Sequence, residues 1–137
     1  MNVRFVAGFG AIVADVQAGH RFYGEQLSLP LHYEPGSDYT AVALPGIKHF
    51  GLWGRKDAAR SAFAREEWPE TVPPAQANIE LEVDDVHDAV RELRTGGVHV
   101  LREAAVEPWG QTTARLLSPE GLLISVVYTP DLRDGTP

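Results

Sequence analysis

Residues 77–90 read ANIELEVDDVHDAV, and the stretch changes its period halfway along. Ile79, Leu81 and Val83 alternate with Asn78, Glu80 and Glu82, the period-two pattern of a strand with one apolar and one polar face. From Asp85 onward the spacing becomes helical. An aspartate at such a junction can accept bonds from the first unpaired helix amides and complement the helix dipole, so Asp85 reads as a cap rather than a catalytic group. The polar face of the strand is acidic. What that face looks at depends on what the rest of the chain packs around it.

The same layout occurs earlier. IVADVQAGHRFYGEQLSLPL, starting at Ile12, lies over EVDDVHDAVRELRTGGVHVL, starting at Glu82, in the order strand end, aspartate, helix, loop, new strand. Asp15 takes the capping place of Asp85. In the first copy a helix over Val16–Gln26 would bury Val16, Phe22, Tyr23 and Leu27. LHYEP, DYTAVAL and IKHFGLWG then read as three short strands separated by PGS and PG turns. In the second, ANIELEV is a strand, His87–Thr95 a helix ended by Gly96 and Gly97, and VHVLRE, QTTARLLS and LLISVVYT are strands. The chain therefore divides into module one (1–55), a connector (56–76) with one or two exposed helical turns and three prolines, module two (77–130) and a disordered tail (131–137). Each module is a β-α-β-β-β unit.

At 137 residues this is one domain, able to bury roughly two-thirds of the surface its unfolded chain exposes. With no cysteine, the sequence excludes disulfides, thiolate metal sites and cysteine nucleophiles. A net charge of −7 disfavours nucleic acid and anionic membranes as partners. No apolar run reaches bilayer length, and MNVRFVAGFGAIVAD lacks the apolar core of a signal peptide, so a cytoplasmic location is expected. Ser28 and Ser125 have no readable His and Asp arrangement around them. The G-x-G of GFGAIVAD opens no helix and is a chance match to a dinucleotide motif.

The two modules, with VADVQAGHRFYGEQLSLPL, EVDDVHDAV and PWGQTTARLLSPEGLLISVV, resemble the vicinal oxygen chelate superfamily of glyoxalase I, bleomycin-resistance proteins and extradiol dioxygenases. The resemblance covers nearly the whole chain. It implies an α+β fold of two βαβββ modules whose curled mixed sheets enclose a cavity. Metal-dependent members carry His or Glu on the first strand of each module and on the closing strands. The matching positions are Gly8, Gly51 (or Phe50 beside it), Asn78 and Ser125. A divalent catalytic site needs about three imidazole or carboxylate ligands, and these positions supply none. No metal and no cofactor is expected. Of the five histidines, His20 and His87 fall in first helical turns, His32 and His99 in the strands after the helices, and only His49 on a strand facing the cavity.

Given that fold, strand parity points the acidic face inward. Ile79, Leu81 and Val83 pack beneath the helices, while Asn78, Glu80 and Glu82 face the cavity or its rim. The same parity puts Gly8, Gly10 and Ile12, His49 and Trp53, and Leu123, Ser125 and Val127 on the cavity side. Gly8, Gly10 and Gly51 either enlarge the space or relieve strand curvature. Trp109, in EPWGQ, is expected at the mouth, and Trp68, in the connector, as packing. The candidate ligand-binding residues are His49, Trp53, Asn78, Glu80, Trp109 and Ser125. The expected function is metal-independent binding of an aromatic or cationic compound, as in antibiotic-sequestering members, by a homodimer. The alternatives are a lyase, isomerase or dioxygenase with a displaced metal site or metal-free acid–base chemistry through Glu80 and His49, and a domain that only binds other proteins.

Overall fold

The computed structural model describes residues 1–32, 34 and 36–133. Strand β1 (Val3–Val13) leads into a helix of two parts. The α-helical turn α1 (Val16–Gly19) is capped by Asp15, whose Oδ1 accepts from the Ala18 amide at 3.1 Å. A π-helical turn (His20–Gln26) follows, closed by the Leu27 amide on the Phe22 carbonyl at 2.9 Å. The wider π turn shifts the helical phase. Phe22 and Leu27, expected to be buried, are therefore exposed, while His20 is buried and Val16 and Tyr23 are half-buried.

Strands β2 (Tyr39–Leu44) and β3 (Ile47–Gly54) form a hairpin. Of the strand expected at LHYEP, Tyr33 and Pro35 lie outside the described residues, and Leu31, His32 and Glu34 are in no strand. Module two holds β4 (Ala77–Val83), the helix Val86–Thr95, β5 (Val100–Val106), β6 (Thr112–Leu117) and β7 (Leu123–Tyr128). Between the modules the connector forms a helix, α2 (Arg55–Phe63), so the helix of module two is α3.

The strands make one mixed, curled, open sheet, ordered β2-β3-β1-β4-β7-β6-β5, rather than two. β1 and β4 pair antiparallel at its centre, with β3 parallel to β1 on one side and β7 parallel to β4 on the other. The repeat is thus laid out twice about the β1–β4 pair. On one face α3 buries Val86, Ala89 and Val90 against Val83, Ala114 and Val126. On the same side of the first module, the rings of Phe9 and Phe50 stack at 5.6 Å with Tyr23 beside Phe50. These contacts follow the predicted parity.

The opposite face differs from what the sequence implies. The connector helix is not an exposed turn, because Ala58 and Ala62 of α2 pack with Ile12, Trp53, Ala75 and Leu123, all residues of the cavity side or next to it. Trp68 closes this cluster edge-to-face with Phe63 at 4.9 Å and donates Nε1–H to the Pro73 carbonyl at 3.2 Å. At the far end of that face, a 3-10 turn (Pro130–Leu132) folds back, and Arg133 bonds to Glu82, Val83 and Asp84. Residues 131–133, assigned by the sequence to a disordered tail, thus belong to this turn and its anchor. Residues 134–137 lie outside the described residues. No helix among the described residues is long and apolar enough to cross a membrane.

Gly51 is explained by close approach and not by cavity volume. A Cβ there would stand 2.9 Å from the Thr40 carbonyl oxygen of β2, whereas one at Gly10 meets nothing nearer than 4.0 Å. Gly51→Ala is therefore expected to destabilise the protein by about 1–3 kcal/mol through overpacking, and Gly10→Ala to be nearly neutral. Urea unfolding of the two variants checks this, and equal stabilities would overturn the close-approach account.

Candidate functional site

Two loops and α2 stand over the sheet and enclose a cavity of about 950 Å³. Its floor is a row of side chains crossing six strands in register. His49 of β3 pairs with Gly8 of β1, Gly8 with Glu80 of β4, Glu80 with Ser125 of β7, Ser125 with Arg115 of β6, and Arg115 with Arg102 of β5. A second row, Ala41, Gly51, Gly10 and Asn78, runs beside it, and Tyr39 and Trp53 follow. α2 contributes Asp57, Arg60 and Ser61, and the mouth is formed by Glu107–Gln111 and Thr129–Leu132.

Of the residues singled out by sequence, His49, Trp53, Asn78, Glu80 and Trp109 line this cavity. Ile79 and Leu81 do not. Ser125 is on the expected face but fully buried beneath Arg115, which donates Nη1–H to its hydroxyl, while Ser125 in turn donates to Asn78 Oδ1 at 2.7 Å. Glu82 also has the expected parity, yet it is 0% exposed. The turn after β7 covers it, and its Oε2 accepts from the Thr129 amide at 2.7 Å and Arg133 Nε at 3.0 Å. It anchors the wall of the site instead of facing a ligand. Trp53 is both core and wall: its Nε1–H donates to Asp57 Oδ2 at 2.8 Å, and its ring borders the cavity. Trp109, 66% exposed at the mouth, donates to Gln111 Oε1 at 3.1 Å, and Gln111 donates to Thr129 Oγ1 at 2.9 Å, tying the two mouth loops together.

The acidic wall read from the sequence is only half of the electrostatics. Arg60, Arg102 and Arg115 line the same cavity as Asp57, Glu80, Glu107 and Asp131. Arg102 Nη1 donates to Glu107 Oε1 at 2.5 Å, and Thr113 Oγ1 donates to the same oxygen at 2.6 Å. Burial, the largest single effect, pushes the Glu107 carboxyl up. The bonds from Arg102 and Thr113 and the two guanidinium charges outweigh it, holding the group below its ordinary value. Arg115 is 4% exposed, and burial lowers its pKa, with Glu80 and Glu107 opposing and Arg102 assisting. It remains charged at any physiological pH. Burial pushes the Tyr39 phenol up to about 12, with the Glu80 charge adding and Arg115 opposing, although half of the side chain stays exposed. It is therefore a neutral hydrogen-bonding group.

Glu80 and His49 flank Gly8: a Cβ at Gly8 would lie 3.4 Å from both Glu80 Oε2 and His49 Cβ. Among the described residues neither takes part in a hydrogen bond or ion pair. Both side chains are left available to a ligand.

A divalent metal of the kind that metal-dependent members hold does not fit here. Gly8 and Gly51 offer no donor atom, and Asn78 and Ser125 are bonded to each other with a guanidinium on top. A fixed cation beside those oxygens repels a second one. Among the described residues no group of three or more His, Asp or Glu comes together as a metal site.

The model of the glyoxalase/bleomycin resistance protein/dioxygenase superfamily matches residues 6–126, nearly the whole of both modules. The chain belongs to this superfamily. Among solved structures, a superfamily member from Vibrio splendidus is 15% identical, covering 93% of this chain and 100% of its own, with a TM-score of 0.60. Methylmalonyl-CoA epimerase from Mycobacterium tuberculosis is 22% identical, covering 95% and 91%, with a TM-score of 0.61. A methylmalonyl-CoA epimerase from Streptomyces coelicolor, in complex with 2-nitronate-propionyl-CoA, is 16% identical over 99% of this chain and 100% of its own, TM-score 0.61. These likenesses show the superfamily fold. Among curated proteins no sequence matches.

Proposed function

We propose that this superfamily member is a metal-independent binding protein for a small aromatic molecule, working as a cytoplasmic homodimer. The observation that carries the reading is the Asn78–Ser125–Arg115 network, which fills the floor where metal-dependent members hold an ion, in a cavity walled by Tyr39, Trp53 and Trp109. Aromatic walls with a few polar groups suit a flat organic ligand. Of the two ligand characters the sequence left open, the three arginines favour aromatic over cationic.

Elemental analysis of the purified protein is expected to find no stoichiometric Zn, Ni, Mn or Fe, and one transition metal per chain would overturn the reading. An aromatic ligand should quench tryptophan emission, and Trp109→Ala should weaken its binding by about 1 kcal/mol if the exposed ring stacks on it. Unchanged affinity in that variant would remove Trp109 from the site. The dimer is expected because β2 and β5 leave two open sheet edges and Phe22 and Leu27 are exposed. Sedimentation should give twice the chain mass at micromolar concentration, and a monomer would sink that part.

One observation favours a second reading, acid–base catalysis. His49 and Glu80 face the cavity from either side of Gly8 with no hydrogen bond or ion pair among the described residues. Deuterium exchange into a bound carbonyl compound, lost in Glu80→Gln, would select it.

A further inference from the structure

We propose that the ligand of this cavity carries a carboxylate, and that Arg115 receives it through Nη2, with Arg102 adding its charge. The inference rests on the reading of the cavity as a binding site for a small organic molecule and adds the chemistry of its polar end. Arg115 Nε donates to Ser61 Oγ at 2.7 Å and Nη1 donates to Ser125 Oγ, so both bonded partners are neutral hydroxyls. The nearest carboxylate oxygen, Glu107 Oε1, is 3.9 Å from Nη2 and already accepts from Arg102 and Thr113. The Glu80 charge also acts on Arg115, but within 4 Å the two guanidinium groups share one carboxylate. Beneath them the Trp53 ring lies 5.0 Å from the Arg115 Cζ, which favours a cation there without supplying a counter-ion.

A guanidinium this deeply buried is disfavoured until an anion is bonded to it directly. Among the described residues Nη2 donates no hydrogen bond, although Arg115 lines the cavity, so its donors remain for what enters. From a charged guanidinium such an N–H makes a charge-assisted bond to a carboxylate oxygen. Ser61, on α2, holds the site in place, because its hydroxyl meets both Arg115 at 2.7 Å and Arg102 at 3.2 Å. It is a positioning residue.

The row also orients the ligand. Glu80 lies two strands from Arg115 along the floor, separated from it by Ser125. A carboxylate placed beside Glu80 would be repelled, and one beside Arg115 attracted. The acid therefore points toward β6, and the end near Glu80 and His49 carries neutral or donor groups, with the ring lying along Trp53 and Tyr39.

Three probes of one size separate the outcomes: benzoate, benzyl alcohol and benzylamine, titrated into the intact protein by calorimetry and by tryptophan quenching. Benzoate should bind about tenfold tighter than benzyl alcohol, as a charge-assisted hydrogen bond implies, and benzylamine weakest. Ser61→Ala, which keeps both arginines, should reduce the preference for benzoate over benzyl alcohol. Arg115→Gln, if it folds, should abolish the preference. Equal affinities for benzoate and benzyl alcohol would overturn the carboxylate subsite and leave the cavity reading standing. Tightest binding of benzylamine would overturn it in favour of Glu80. Binding of none of the three at millimolar concentration would overturn both.

Discussion

Arg133→Ala is expected to lower the stability of the protein by about 3 kcal/mol, because it leaves the buried carboxylate of Glu82 without its ion partner. Glu82 is fully buried, its Oε2 accepts from the Thr129 amide and from Arg133 Nε, and among the described residues its Oε1 has no hydrogen-bond partner. The arginine also spans to the Val83 carbonyl at 2.6 Å and lies 5.1 Å over the Tyr128 ring. Its arm to the exposed Asp84 adds little. In a chain of this size the loss corresponds to a melting temperature lower by roughly 10 °C.

Urea unfolding of variant and parent at neutral pH measures this loss directly. Adding Glu82→Gln to the variant should recover part of the loss, since no charge is then left unpaired. A variant within about 0.5 kcal/mol of the parent at neutral pH would mean that the turn after β7 is not held this way. The same variant should bind ligands more weakly, because Thr129–Leu132 form part of the mouth.

The elements were legible where local signals agree. IKHFGLWG alternates, is bounded by turn residues, and forms β3 with those limits. Asp15 and Asp85 cap their helices as their positions imply. Parity placed Asn78, Glu80, His49 and Trp53 on the cavity face because a strand has only two faces and the apolar one must go under the helices. What failed lay outside strand parity. No residue of HRFYGEQ announces a π turn, so the sequence alone points Phe22 and Leu27 inward. In RKDAARSAF the buried face is made of alanines, which read as helix formers and not as core, yet small residues are what let α2 lie against the sheet.

Arg115 was missed for a different reason. An arginine in TTARLL is by type a surface residue. The alternation that puts Ser125 on the floor also puts its cross-strand partner there, but the partner is known only once the β6–β7 register is. Arg102 follows from the next pairing. A wall that looks acidic along β4 becomes nearly balanced when β5 and β6 are laid beside it, and this shifts the expected ligand away from cations.

Trp53→Ala should destabilise the fold by about 3 kcal/mol, the lower end of the range for removing a buried tryptophan, since one face of the ring already borders the cavity. The indole packs with Ile12, Ala58, Ala62, Ala75 and Leu123, so its loss leaves a hole at the junction of α2 and the sheet. Its N–H satisfies Asp57, and its face lies under the Arg115 guanidinium, so both groups lose a contact. Trp53→Phe keeps a ring in that place and removes only the N–H bond, and it should cost about 1 kcal/mol. Comparing the two by urea unfolding separates packing from hydrogen bonding, while Trp109 remains as a fluorescent reporter at the mouth. If α2 were only a connector, Trp53→Ala would fall near Trp53→Phe and leave binding unchanged. If α2 is held on the sheet by this ring, the alanine variant loses both stability and affinity, because Ser61, which aligns Arg115 and Arg102, sits on the helix that the ring secures.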